Sequence, residues 1–358
     1  MNLILILAIV YPVADTTIST VAGSGELKLS GVSGPALKFA INQPFGVELG
    51  RDRALYVCEV GNHRVLRLDP KTSLVTTVAG TGEKGLTGDG GPATKARLSE
   101  PYEVRFDASG NMYFVEMAGA VVSLVEKSSG ILRRVAGVGE HGFSGDGGPA
   151  VKAKLRSPHS IALDQRGGLY IADIGNHRIR RVDLKTGIID TIAGTGERVL
   201  PKDGSVATGR PMLGPRALFI TGDTMWIALR EGHSVWKMDL MTRRLTHVAG
   251  DGSKGYRDGA GVTAQFNGPK GIAVGPRGHV YVVDTENQAI RRIARDGFAV
   301  STVAGYGPDG RGYSGDGGPP GKARLDRPHG VAVSADGALY IGDSNNHRVR
   351  KITAGATK

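Results

Sequence analysis

One cysteine, Cys58, occurs in 358 residues. That count excludes an internal disulfide framework and every cysteine-rich zinc site. Cys58 lies in "LYVCEV", a strand position, and reads as a buried inert thiol. Aromatic residues are sparse as well, at 6% of the chain. No aromatic-basic platform for stacking single-stranded nucleic acid is legible, so nucleic acid is not an expected partner.

Long apolar runs are also missing, so no transmembrane segment is expected: a bilayer-spanning helix needs ~20 apolar residues. The run from Leu3 to Ala14, in "MNLILILAIVYPVAD", is shorter. It suits the h-region of a secretory signal. Residues 1–14 are therefore expected to be a signal peptide, or otherwise an apolar lead-in strand. The expected location is extracellular or periplasmic, with the cytoplasm as the alternative. Acidic side chains are the minority charge, 34 against 45 basic, and the net charge of +11 favours anionic partners or surfaces.

Glycine is abundant, at 55 residues, alongside 40% hydrophobic residues. This combination fits a chain of tight turns around a core. Those turns recur. "FSGDGGPAVKAKLRSPHSIALD", from Phe143, is echoed by "TGDGGPATKARLSEPYEVRFD" from Thr87 and "SGDGGPPGKARLDRPHGVAVS" from Ser314. Looser copies start at Ser30 and Arg257. A proline before each apolar segment sets the period: Pro44, Pro101, Pro158, Pro215, Pro269 and Pro328, at intervals of 57, 57, 57, 54 and 59 residues. An Ala-Gly marker ends at Gly23, Gly80, Gly137, Gly194, Gly250 and Gly305. Two markers with six copies each define a repeat protein.

Each unit reads as four short strands. In the third they are "HSIALD", "GLYIAD", "HRIRRVD" and "IIDTIAG", separated by Gly, Asp and Asn turns. Four strands per unit, with no long amphipathic helix, predict an all-β, six-bladed β-propeller. The domain is expected to span residues 15–358. "TTISTVAG", residues 16–23, precedes any complete unit, while the last unit stops after three strands. The N-terminal strand is therefore expected to complete the last blade.

The chain resembles the NHL-repeat six-bladed propellers, over residues 16 to 354. The matching segments are Asn62-His63-Arg64, Asn176-His177-Arg178 and Asn346-His347-Arg348, with arginine in place of the family's leucine. Blade five keeps only Asn287, blade two has Gly119-Ala120-Val121 and blade four has Gly232-His233-Ser234. The resemblance implies an interaction platform or extracellular sensor. It also implies an alternative, because similar propellers include lactonases and lyases with a divalent cation in the channel.

Repeated features read as scaffold. The GDGG aspartates Asp89, Asp146 and Asp316 could ligate calcium, but calcium needs six to eight oxygens at one centre. The loop is instead expected to be structural, with Pro92, Pro149 or Pro319 starting a helical turn that plugs the blade junction with Leu98, Leu155 or Leu325. The acidic residues after each second strand, Glu59, Glu116, Asp173, Asp284 and Asp343, and the Asn-His-Arg histidines have the same structural reading.

Departures from the repeat are the candidate site. The residues after each anchoring proline are Phe45, Tyr102, His159, Arg216, Lys270 and His329. They should face the channel on the loop-rich side. Tyr102, His159, Arg216, Lys270, His329 and Arg230 are the expected ligand-binding residues. His159, Glu103 and His329 are the catalytic candidates should the protein be an enzyme. Glu48 and Arg105 read as an inter-blade ion pair, and Trp226 and Trp236, beside Glu231 and His233, as core fillers. The expected function is an exported, monomeric binding module. Its partner is a protein or small anionic ligand on the loop-rich face. The alternative is a metal-assisted lyase or lactonase-type hydrolase using Ca, Mg or Zn in the channel.

Overall fold

A computed structural model describes residues 16–353; the signal-peptide expectation for residues 1–14 lies outside them. The third unit forms Pro158–Leu163, Gly168–Asp173, Arg178–Asp183 and Ile188–Ala193, the four strands read from the sequence. The chain makes six such antiparallel sheets. Innermost strands begin at Pro44, Pro101, Pro158, Pro215, Pro269 and, in the last blade, Gly330. Each innermost strand touches those of the blades before and after it, and Gly330–Val333 touches Pro44–Leu49, so the ring is closed. Two blades gain a short fifth strand, Ser33–Pro35 and Gly148–Pro149.

Closure uses the N-terminal segment, as expected. Ile18–Ala22 pairs with Arg348–Ile352 in the order Ile18 to Ile352, Ser19 to Lys351 and Thr20 to Arg350. Ile18 is fully buried, in a cluster with Leu325, Ile341 and Ile352. The core as a whole is divided into clusters that lie between neighbouring sheets. One of them joins Val115 and Val122 of blade two to Ile161 and Ile171 of blade three.

The linking loops are structural. Ala93–Lys95, Ala150–Lys152 and Pro320–Lys322 each make one 3-10 turn after Pro92, Pro149 and Pro319. The following leucines, Leu98, Leu155 and Leu325, are at most 1% exposed. Asp146 accepts from Arg180 at 2.6 Å, Asp258 from Arg291 at 2.6 Å and Asp316 from Arg350 at 2.6 Å. The same arginines reach back to Asp173, Asp284 and Asp343. Each is a fully buried guanidinium held between a loop carboxylate and a strand carboxylate. Such charges are tolerated in an interior only when paired and hydrogen-bonded.

The repeated acids also tie down the chain entering their own blade. Glu59, Glu116, Asp173, Asp284 and Asp343 accept the amides of Asn42, Ser99, Arg156, Asn267 and Asp326 at 2.7–2.9 Å. Blade four has Leu229 at this position, opposite Pro215, and Trp236 where blades three and five have Arg180 and Arg291. An apolar pair there replaces the buried ion pair.

Candidate functional site

The channel mouth is built by a recurring irregularity. In blades one to five the ladder slips immediately after the anchoring proline: between Pro44 and Val47, Pro101 and Glu103, Pro158 and Ser160, Pro215 and Ala217, Pro269 and Gly271. A bulged residue leaves the strand's in-out alternation and its side chain is re-aimed. The residues in the slip include Phe45, Tyr102, His159, Arg216 and Lys270. They and His329 converge on the axis.

Contacts run across this ring. Phe45 stacks on His329 with ring centroids 3.9 Å apart, and Tyr102 meets Phe45 edge-on at 4.8 Å and His159 at 4.6 Å. Tyr102 lies 6.2 Å from His329, so one phenol ring bridges the two histidines. The Arg216 guanidinium lies 4.7 Å from the Tyr102 centroid and donates to its hydroxyl. Lys270 pairs with Glu286 at 2.8 Å, and Glu286 also holds Arg327 at 3.0 Å.

Both histidines are neutral with a fixed tautomer. His159 Nδ1 donates to the Ser157 carbonyl at 2.5 Å and His329 Nδ1 donates to the Arg327 carbonyl at 2.8 Å. The lone pair is thereby left on Nε2. Burial first, then neighbouring cations (Arg216 for His159, Lys270 for His329), holds both imidazoles well below their ordinary pKa. Burial lowers Lys270 to about 8 in spite of Glu286, and raises Tyr102 to about 12.

On one side of the ring the mouth opens into a cavity of about 470 Å³. Its floor is His159, Arg216 and Lys270; its walls include Arg156, His177, Arg198, Arg230 and Glu231. Four of the six sequence-derived ligand residues thus meet in one cavity. Tyr102 and His329 are buried beside it rather than lining it. Among the catalytic candidates, Glu103 does not join His159 there. Its carboxylate accepts from Ser160 Oγ at 2.7 Å and pairs with Arg105 at 2.9 Å, deeper in the channel.

Arg105 also pairs with Glu48 at 2.8 Å, the inter-blade ion pair read from the sequence. This group faces a smaller cavity of about 240 Å³ that includes Leu163, Gln165 and Phe219. The blade-four residues do not form one cluster. Arg230 and Glu231 reach the large cavity, while Trp226 and Trp236 fill two different core clusters.

The sequence reading did not single out Arg156 and Arg198. Arg156 had a signal: two residues before the anchoring prolines stand Asn42, Ser99, Arg156, Leu213, Asn267 and Asp326, with a cation only in blade three. Arg198 had none, because Lys84, His141 and Lys254 occupy the same place after their Ala-Gly markers.

The donor set does not fit a divalent cation. Five cationic side chains line the cavity, and its one carboxylate, Glu231, is paired with Arg230 at 2.9 Å. Among the described residues no three His, Cys, Asp or Glu side chains are grouped as metal ligands. Cation repulsion at this mouth opposes metal binding.

A closed six-bladed propeller with a charged mouth at its axis is the class defined by these features. The chain belongs to the NHL-repeat propellers. The NHL repeat model matches residues 266–293 and 325–352, and the teneurin NHL domain model matches residues 135–210. Protein SUPPRESSOR OF QUENCHING 1, chloroplastic, of Arabidopsis thaliana is 30% identical over 71% of this chain and 25% of its own length. NHL repeat-containing protein 2 of Bos taurus is 29% identical over 70% of this chain and 39% of its own. The match thus spans well under half the length of either relative.

Among solved structures, an auxiliary nutrient binding protein from Bacteroides ovatus aligns with TM-score 0.68 at 20% identity, over 95% of this chain and 77% of its own. A streptogramin B lyase aligns with TM-score 0.55 at 12% identity, over 95% and 98%. These two likenesses concern the fold.

Proposed function

We propose that this propeller is a binding module whose loop-rich face seats an anionic group of its partner in the cavity at the channel mouth. The observation that carries this reading is the lining itself: Arg156, Arg198, Arg216, Arg230 and Lys270 against the single carboxylate of Glu231. Repeated loop residues are occupied in holding blades together and leave the mouth as the variable part. Concave sites with a few convergent polar groups are where ligands bind. The apolar run at residues 3–14 supports export, so the partner would be met outside the cytoplasm.

The lyase or lactonase reading draws support from the fold likeness alone, and fold does not imply function. It also calls for a metal centre that this donor set opposes.

Thermal unfolding in phosphate, sulfate and acetate, against chloride at equal ionic strength, tests the proposal. Saturable stabilisation is expected, growing as the logarithm of ligand over Kd. It should weaken in Arg198→Gln, which alters only an exposed wall. Equal stabilisation of both proteins would be general salt exclusion and would refute the reading.

A further inference from the structure

The ring holds one charge that the protein leaves unanswered. Arg216 is 6% exposed, yet it pairs with no carboxylate among the described residues, and its Nε is buried without a hydrogen-bond partner. Its one side-chain partner is the neutral Tyr102 hydroxyl. The other buried guanidiniums differ: Arg64 pairs with Glu59, and Arg180, Arg291 and Arg350 each meet two carboxylates. A buried, unpaired guanidinium is unfavourable unless an anion arrives from outside. Arg156 and Arg198, on the wall above, also lack carboxylate partners among the described residues, so the anion would meet three free cations.

Next to Arg216 the cavity presents an acceptor. The Ser157 carbonyl takes the Nδ1 proton of His159, so its Nε2 is a lone pair. That nitrogen has no partner among the described residues. A fully deprotonated anion such as acetate or sulfate would offer it nothing, because it brings only acceptors. A ligand that matches both groups carries a negative head and a hydroxyl close beside it. The volume, about 470 Å³, is within the range of small-molecule sites.

We infer that the cavity takes a small hydroxylated anion, a sugar acid or sugar phosphate, with its head on Arg216 and a neighbouring hydroxyl donating to His159 Nε2. This rests on the binding-module reading and specifies its ligand.

Calorimetric titration of the full chain with gluconate and with glucose 6-phosphate tests it, and the stronger of the two identifies the head as carboxylate or phosphate. Hexanoate and sulfate serve as controls that carry no O–H donor, glucose as the uncharged one. A hydroxylated anion should bind about tenfold tighter than its hydroxyl-free control, and Arg216→Gln should weaken it about tenfold or more. His159→Phe keeps a ring against Tyr102 and should erase only the preference for hydroxyls. If Arg216→Gln fails to fold, Arg198→Gln on the exposed wall should still weaken binding several-fold. Equal binding of hydroxylated and plain anions, or of glucose, overturns the inference and leaves the binding module standing. A failure of every anion to bind overturns both.

Discussion

His347 of the last blade accepts, at its Nδ1, the backbone N–H of Gln43 in the first, 3.2 Å away and 304 residues distant in sequence. The bond recurs around the ring: His63 accepts from Glu100, His177 from Gly214 and His233 from Gly268, at 3.1–3.3 Å. Each accepted amide immediately precedes an anchoring proline, so these histidines staple one blade to the next. In blade five Gln288 Oε1 does the same for Arg327 at 2.6 Å.

A nitrogen that accepts an amide hydrogen cannot also carry a proton. Burial holds all four histidines below the ordinary value of 6.5. Their folded pKa is depressed, so the stability they contribute is present above pH 6.5 and falls as the pH drops through the lower folded values. Thermal midpoints should decline from pH 7 toward pH 5. His347→Gln, which copies blade five, should lie within about 1 kcal/mol of the parent at pH 7.5 and lose less on acidification. An unchanged pH profile in the variant would show that the staple does not titrate.

Glu116 should produce the opposite slope. Its blade has Ser123 where blades three, five and six have a buried arginine, and burial pushes its carboxyl from 4.5 up to about 7. A raised folded pKa contributes stability that is complete below 4.5 and is lost as pH rises through 7, about 3 kcal/mol in all. Glu116→Gln should therefore match the parent near pH 5 and be the more stable protein at pH 8. Denaturant midpoints at the two pH values check this.

The buried Asp–Arg pair of blade five can be compared with the apolar pair that replaces it in blade four. Asp284→Leu leaves Arg291 with Asp258 as its one carboxylate and should cost about 3–5 kcal/mol. Adding Arg291→Trp, to reproduce Leu229 and Trp236, should recover much of that loss. A double variant no better than the single one would mean that blade four depends on its own surroundings.

Ile18 in the closing strand and Ile189 in blade three stand at equivalent positions, opposite Ile352 and Val182, and neither is exposed. Truncating either to alanine should cost about 2–5 kcal/mol. A near-silent Ile18→Ala beside a costly Ile189→Ala would show that the ring does not rely on its first strand.

Fold and site were legible to different depths. Two periodic markers carried the blade number, the strand content and the closing strand, because a repeated unit shows its pattern six times. The structural role of the GDGG loop was readable on the same ground. The partners of its aspartates were not, because Arg180, Arg291 and Arg350 lie 33 or 34 residues further along. The six mouth residues could be found by their place after a proline. Which of them share a cavity depends on how far each side chain reaches across the axis. Tyr102 extends to Arg216 two blades away, and Glu103 turns toward Ser160 and Arg105 instead of joining His159. Sequence spacing holds no information on such reach.

The slip after the first five anchoring prolines has an evolutionary consequence. A residue outside the ladder carries little responsibility for register, so its identity can change without disturbing the sheet that bears it. This chain already displays phenylalanine, tyrosine, histidine, arginine and lysine at these five places on nearly identical frames. Specificity in such a molecule can be rewritten one blade at a time, while the architecture that presents it is inherited intact.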